Sequence, residues 1–524
     1  MCVMMRTQLK SGSVRDGPGK GRFPVPGGGH RNGIPRVVVW VGRIVLLAGL
    51  LALTVLFVWA FDSRSMPELC LWHTVSLSHE FTARDETPRS TLKDYLDREE
   101  ALFRELKEKI YDRVAATDEQ AFSRYRAGGP QDPGGLPRNW NRTFELVPEK
   151  IRGGALLLHG LTDSPYSLRR IGEILYAKGF YVLGLRLPAH GTIPGALTKV
   201  HWEDWMAASR IGAIHVRERI GPDRPFVICG YSNGGALAVK YALDGLTDAS
   251  LPRPDRLLLF SPEIGIMKIA LVANAHKLFS FLPYFAKAKW QSIEPEFDPY
   301  KYNSFPMNAA QQAYNLTVAL QRQVEQMRRA GHFADFPPVL AFLSWVDATV
   351  ETSATINRLF DRLENEGSEL IIFDVNRSDR LVPFLKDADR GPLERIFARS
   401  DLPYRLTLIT NVAGNTERVA RRTKASRSSA VNSTALGMAW PRGVYSLSHV
   451  AIPFAPDDPV YGADENAGVA YGGLPLGRLQ ARGETHLLIA PISRLMRLRY
   501  NPFFEYMAQR VIREIDDISK SPLK

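Results

Sequence analysis

Pro225 to Leu243 reads PFVICGYSNGGALAVKYAL. Its first half is a short apolar run of the kind that fills a strand buried on both faces, and its second half carries small and apolar residues at helical spacing. Between them stands Gly230-Tyr231-Ser232-Asn233-Gly234. A serine flanked by glycines at two-residue distance, at a strand-to-helix junction, sits on a strained turn. The small residues let strand and helix approach, and the hydroxyl projects beside the helix N-terminus. The stretch therefore predicts an α/β fold with Ser232 as a nucleophile.

The flanking text agrees. GGALLLHG, FYVLGLRL, RLLLFSP, VLAFLSWVD and ELIIFDV are further short apolar runs. They alternate with helix-length segments such as EDWMAASRIGAIHVRERI and VETSATINRLFDRLENEG. Strand followed by helix, repeated, implies right-handed crossovers, a mostly parallel sheet and helices on both faces. Two excursions break the rhythm. Residues 266–337 read as a helical cap. Within it Ile266, Met267, Ile269, Leu271, Val272, Phe279, Phe281, Leu282 and Phe285 suit an acyl chain as well as ordinary cap core. Residues 376–442 read as a second insertion, with a strand in YRLTLITNV and a basic polar loop in TERVARRTKASRSSAVNST.

GALLLHGLTDSPYSLRRIGEIL, RLPAHGTIPGAL, GYSNGG and VDATV together resemble the α/β-hydrolase superfamily, in particular its monoacylglycerol-lipase-like and serine-aminopeptidase-like esterases. The similarity covers residues 142–373 and the region of His449. Acyl transfer to serine needs donors for the developing oxyanion. The Asn233 N–H, at the start of a helix, is one. A loop after an earlier strand supplies the other, and His159-Gly160-Leu161-Thr162 fits. The resemblance makes the Leu161 N–H that second donor and leaves His159 and His190 as loop-fixing residues.

A serine nucleophile needs a base and the base an orienting carboxylate, in the chain order Ser, acid, His. By position three carboxylates qualify: Asp347 after VLAFLSWV, Glu263 after RLLLFSP, and Asp374 in ELIIFDV. The resemblance selects Asp347, whose other plausible role is to cap the following helix. After Asp347 only His449 and His486 remain as bases. His449 follows the apolar GVYSLS, read as the last strand, and precedes the turn-rich AIPFAPDDPVYG, so a loop carries it; His486 begins an apolar run. Compact relatives place this histidine a few tens of residues after the acid. Here the second insertion intervenes, and it is expected to border the substrate entrance.

The chain has 524 residues and a formal net charge of +12. Residues 1–36 carry seven basic residues against Asp16 and so hold half of that charge; the rest is spread too thinly for a nucleic-acid surface. That tail is rich in Gly and Pro and reads as disordered and cytoplasmic. Residues 37–61 follow as a signal anchor. Ile44–Phe61 is a charge-free apolar run near the ~20 residues a membrane-crossing helix needs. Positive charge before the run places the catalytic domain on the outer side. Residues 62–141 hold an extended segment, LCLWHTVSLSHEFTA, and an amphipathic helix opened by Thr91-x-x-Asp94; residues 142–524 form the catalytic domain. Three cysteines make no disulfide framework. The absence of metal-ligand spacing and phosphate-cradling loops predicts no cofactor. The expected function is a membrane-anchored serine hydrolase acting on a small acyl ester, with lipid-like substrates suited to the cap. The rivals are an acyltransferase using the same residues and a non-catalytic binding protein.

Overall fold

The computed structural model describes residues 40–50, 54 and 66–520, except 116, 118–119, 136–137, 266–282, 348, 365, 379–389, 413–415, 465–473, 475 and 479–495. The chain divides into two compact units, Met1–Phe61 and Asp62–Lys524. In the first, residues 40–50 are helical and the Thr54 hydroxyl donates to the Leu50 carbonyl at 2.8 Å. Among the described residues no helix is long and apolar enough to cross a membrane. The remainder of the expected anchor, and the basic tail, lie outside the described residues.

The second unit is built on a ten-stranded sheet. Its strands are β1 (Phe144–Leu146), β2 (Gly153–Leu158), β3 (Phe180–Leu185), β4 (Phe226–Tyr231), β5 (Arg256–Phe260), β8 (Val339–Ser344), β9 (Glu369–Phe373), β10 (Arg405–Asn411), β11 (Arg418–Lys424) and β12 (Val431–Ala439). They lie in the order β1-β3-β2-β4-β5-β8-β9-β10-β11-β12. From β3 to β10 all pairs are parallel, and β1, β11 and β12 are antiparallel to their neighbours. Every residue of β2, β3, β4, β8 and β9 is buried, which is why those runs lack alternation.

Alternate residues of the strands feed two cores. Leu156, Leu158 and Ile228 face the helices Trp202–Ile220, Asn233–Thr247 and Met307–Arg329. Ala155, Leu157, Val227 and Tyr231 face the helices Arg169–Ala177 and Phe504–Lys520. The C-terminal helix had no assignment from the sequence, yet Phe504, Met507, Val511 and Ile515 close the second face of the sheet.

The amphipathic helix runs from Leu92 to Leu106 and continues as a π-turn to Tyr111. Thr91 and Asp94 close its N-terminus reciprocally, Asp94 N–H to Thr91 Oγ1 at 3.2 Å and Thr91 N–H to Asp94 Oδ2 at 2.9 Å. Leu92 and Tyr95 join the main core. Glu99 forms a buried ion pair with Arg186 at 3.1 Å and accepts the Thr143 N–H at 3.0 Å. The helix is thus an integral part of the second unit.

Four sequence expectations need correction. The segment expected to be extended contains a helical turn, Leu71–Thr74, whose His73 imidazole accepts the Cys70 N–H at 2.9 Å. The cap contains a small antiparallel pair, β6 (Trp290–Ser292) with β7 (Phe305–Pro306), ahead of the expected long helix; its apolar segment 266–282 lies outside the described residues. The basic polar loop is the β11–β12 hairpin. Two of its basic side chains are held by tertiary contacts that a strand allows: Arg422 bonds Glu394 at 2.7 Å, and the buried Lys424 ammonium donates to the Phe397 carbonyl at 2.5 Å. Finally, the strand before His449, β13 (Val444–Leu447), lies outside the large sheet and pairs with β14 (Met496–Leu498).

The expectation that the second insertion borders the substrate entrance also fails for its described strands. They extend the sheet away from β4, the strand that leads to Ser232, so β12 lies six strand positions from β4, on the order of 28 Å at ~4.7 Å per strand. Among its described residues, the insertion's two ends lie against each other, Asn376 bonding the Tyr445 and Val444 carbonyls.

Candidate active site

Ser232 directly follows β4 and precedes the helix Asn233–Thr247. Its backbone sits at φ 54°, ψ −120°, a region costly for any residue with a Cβ, and it is held there from three sides. The Ser232 N–H donates to the Phe260 carbonyl at 3.0 Å, while its carbonyl accepts Gly235 and Glu263 N–H groups, each at 2.9 Å. Glycine is required at two flanking positions. A Cβ on Gly234 would meet the Leu158 carbonyl oxygen at 2.0 Å, and one on Gly230 the Gly234 oxygen at 2.5 Å.

The loop after β2 comes close to the serine: a Cβ on Gly160 would lie 3.1 Å from the Ser232 Cβ. This puts Leu161, next in sequence, beside Ser232. Asn233 is the first residue of its helix, where backbone N–H groups have no intrahelical acceptor. His159 is fully committed to holding the loop. Its Nε2 accepts the Leu187 N–H at 3.0 Å and its Nδ1 is 2.9 Å from the Gly160 carbonyl, the pattern of a neutral ring protonated on Nδ1. Burial drives its pKa well below the ordinary value, so it stays neutral. His190 packs edge-on to it at 4.9 Å and is likewise lowered by burial, to about 4.

Asp347 lies past the end of β8, the strand beside β5, and its carboxylate is fully buried. Oδ2 bonds His449 Nδ1 at 2.7 Å; Oδ1 accepts the Thr349 and Val350 N–H groups at 2.8 and 3.0 Å. The next helix starts at Thr352 with Glu351 as its cap, so Asp347 closes a turn instead of capping it. The His449 ring stacks against Tyr231, the residue before the serine, at 5.4 Å and 29°.

How His449 returns after 102 residues is settled by two contacts. Asn376, where the insertion leaves β9, donates its N–H to the Tyr445 carbonyl at 2.7 Å and its amide to the Val444 carbonyl at 2.8 Å. Ser448 then pins the loop to β14 through a 2.9 Å bond to the Leu498 carbonyl. The insertion therefore departs and re-enters at one point.

The other candidate carboxylates are used differently. Asp374 binds Arg377 at 2.9 Å and accepts the Thr410 hydroxyl at 2.7 Å, away from the imidazole. Glu263 is buried next to the serine with no partner for Oε2 among the described residues, and burial, followed by the charge of Asp347, pushes its pKa up to about 8. His486 lies outside the described residues. Sequence reasoning missed Asp163. It is buried two residues beyond Leu161, its ammonium partner Lys301 lies at 3.7 Å, and burial raises its pKa to about 6. The signal was present in the motif, since an acid inside a strand-end loop beside Ser232 is a candidate polar group. Among the described residues, no cluster of three His, Cys, Asp or Glu side chains is placed to hold a metal ion.

Residues 155–401 match the model of the alpha/beta hydrolase family. A thermostable monoacylglycerol lipase of Bacillus sp. (strain H-257) is 34% identical over 90 residues, which is 17% of this chain and 34% of the lipase. Among solved structures, the Paleococcus ferrophilus monoacylglycerol lipase is 16% identical over 48% of this chain and 97% of its own, with a TM-score of 0.34. A soluble variant of the Saccharomyces cerevisiae monoglyceride lipase is 12% identical over 44% and 82%, with a TM-score of 0.32.

Proposed function

We propose that the chain, whose residues 155–401 match the alpha/beta hydrolase family, is a serine esterase of the lipase type. Ser232 Oγ attacks the acyl carbonyl carbon as His449 Nε2 takes its proton; Asp347 orients the ring and stabilises the imidazolium. The Leu161 and Asn233 N–H groups hold the oxyanion. His449 then protonates the departing alkoxide, and water, deprotonated by the same ring, releases the acid. The observation that carries this reading is the 2.7 Å bond between His449 and Asp347, formed across 102 residues and stacked on the residue before a strained serine.

The name of the Bacillus relative and the apolar residues of the cap favour acyl-glycerol or lysophospholipid-like esters. The basic tail and the apolar run 44–61 favour a single-pass anchor with the catalytic unit on the outer side. The direct test compares purified wild-type protein with Ser232→Ala on a short-chain p-nitrophenyl ester and with a fluorophosphonate probe. Turnover and labelling are expected from the wild type alone; full turnover by Ser232→Ala refutes the assignment. Protease added to spheroplasts should reach the catalytic unit, and protection there refutes the orientation.

A further inference from the structure

A serine esterase needs its base and its oxyanion donors at one fixed spacing, and here they stand on two different loops. Leu161 belongs to the loop after β2, which continues into the short turn Pro165–Leu168. His449 opens another short turn, His449–Ala451, and the chain then folds into a tight turn at 455–463. The bonds that hold His449, to Asp347 and through Ser448 to β14, do not involve the loop of Leu161.

One buried carboxylate joins the two loops. Asp458 Oδ1 accepts the Val460 and Tyr461 N–H groups, each at 2.9 Å, and so closes the turn of its own loop. The same oxygen accepts the Tyr166 hydroxyl at 2.8 Å, across 292 residues. Oδ2 faces the Arg169 guanidinium at 3.4 Å. The Asp458 side chain is 3% exposed, so water does not compete for these bonds. Both attachment points are firm. A Cβ on Gly462 would meet the Asp458 carbonyl oxygen at 2.3 Å, and the Asn501 N–H holds the Phe454 carbonyl at 2.8 Å. The Tyr166 ring stacks on Tyr300 of the cap at 4.1 Å and 5°, and lies 6.2 and 5.8 Å from the Phe454 and Tyr461 rings. The cap is fastened at the same place, because its Asp298 pairs with Arg499 at 3.1 Å and accepts the Tyr461 hydroxyl.

We propose that Asp458 and Tyr166 are positioning residues, whose hydrogen bond sets the spacing between His449 and the Leu161 N–H and thereby the rate of acyl transfer. The inference rests on the serine-esterase reading above and adds a pair that touches neither the substrate nor the reacting atoms. A misplacement near 1 Å in such a site costs on the order of a hundredfold in rate. The stacked rings keep Tyr166 in place without its hydroxyl, so the bond can be removed while both loops stay folded.

The test uses the detergent-solubilised full chain and a fluorophosphonate probe, read both as a labelling rate and as the final number of labels per chain. Tyr166→Phe should lower the labelling rate and kcat together by about tenfold, since Asn501 still limits the displacement, with KM within about twofold of the wild type. Every chain should still label in the end. Asp458→Ala should lose more, because the Val460 and Tyr461 N–H groups lose their acceptor too. Asp458→Asn keeps an oxygen for all three donors and should recover most of the rate that alanine loses. Wild-type rates in Tyr166→Phe overturn the proposal, as does an Asp458→Asn no faster than Asp458→Ala. A rise in KM without a fall in kcat also overturns it, by making Tyr166 a substrate contact. So does a slower rate matched by chains that never label, which makes the pair a folding element only. A wild type that itself fails to label at Ser232 is a distinct result and refutes the esterase reading, and this inference with it.

Discussion

Replacing Glu263 by Gln tests the electrostatics of the site without touching Ser232. The folded chain buries this carboxyl beside Ser232 and raises its pKa from 4.5 to about 8, chiefly by removing it from water and secondly through Asp347. Over that interval the folded state keeps a proton that the unfolded state has released. Stability therefore falls as pH rises from about 4.5 to about 8 and is level beyond. At ~1.36 kcal/mol per pH unit the loss approaches ~5 kcal/mol, an upper figure for a buried group. Glutamine cannot ionise and has no such slope, but its amide inherits an unpartnered position at Oε2, a constant cost of about 1–3 kcal/mol. Urea unfolding of both proteins should thus show the variant equal or weaker near pH 5 and stronger by several kcal/mol near pH 9. Asp163 and Glu296, also raised by burial, to about 6 and about 7, contribute equally to both proteins and cancel in the difference. A difference that does not change with pH refutes the reasoning, because it means Glu263 is ionised in the folded chain throughout.

Asp347→Asn should lower kcat by a factor on the order of 10³–10⁴ with little change in KM, since the amide leaves the imidazole in the wrong tautomer; a loss under tenfold in single-turnover kinetics would mean another carboxylate orients His449. Glu99→Ala leaves the Arg186 guanidinium, 1% exposed, with Glu80 as its remaining carboxylate, and should cost about 3–5 kcal/mol in urea unfolding. Gly234→Ala forces a methyl to 2.0 Å from the Leu158 oxygen and should abolish fluorophosphonate labelling even where circular dichroism shows folded protein.

The parts of this fold that could be read from sequence are those where one physical demand leaves one kind of residue. Strands buried on both faces must be apolar throughout, and β2, β3, β4, β5, β8 and β9 were legible for that reason. The elbow at Ser232 was legible because close backbone approach admits only glycine at 230 and 234. β11 and β12 were not. An edge hairpin has one or both faces in water, so its arginines and serines satisfy the strand as well as they would a loop, and what holds Arg422 and Lys424 is tertiary: Glu394 and a helix-end carbonyl. The same reasoning separates the members of the site. Ser232 announces itself through local backbone geometry. His449 does not, because its position depends on Asn376 gripping Val444 and Tyr445 from the far end of the insertion. A long insertion is tolerated between Asp347 and His449 because its two ends are fastened to each other, and the length of chain in between then has little leverage on the imidazole. Asn376→Ala, which removes the side-chain half of that clasp, is therefore the change most able to displace His449 without altering any residue of the proposed triad.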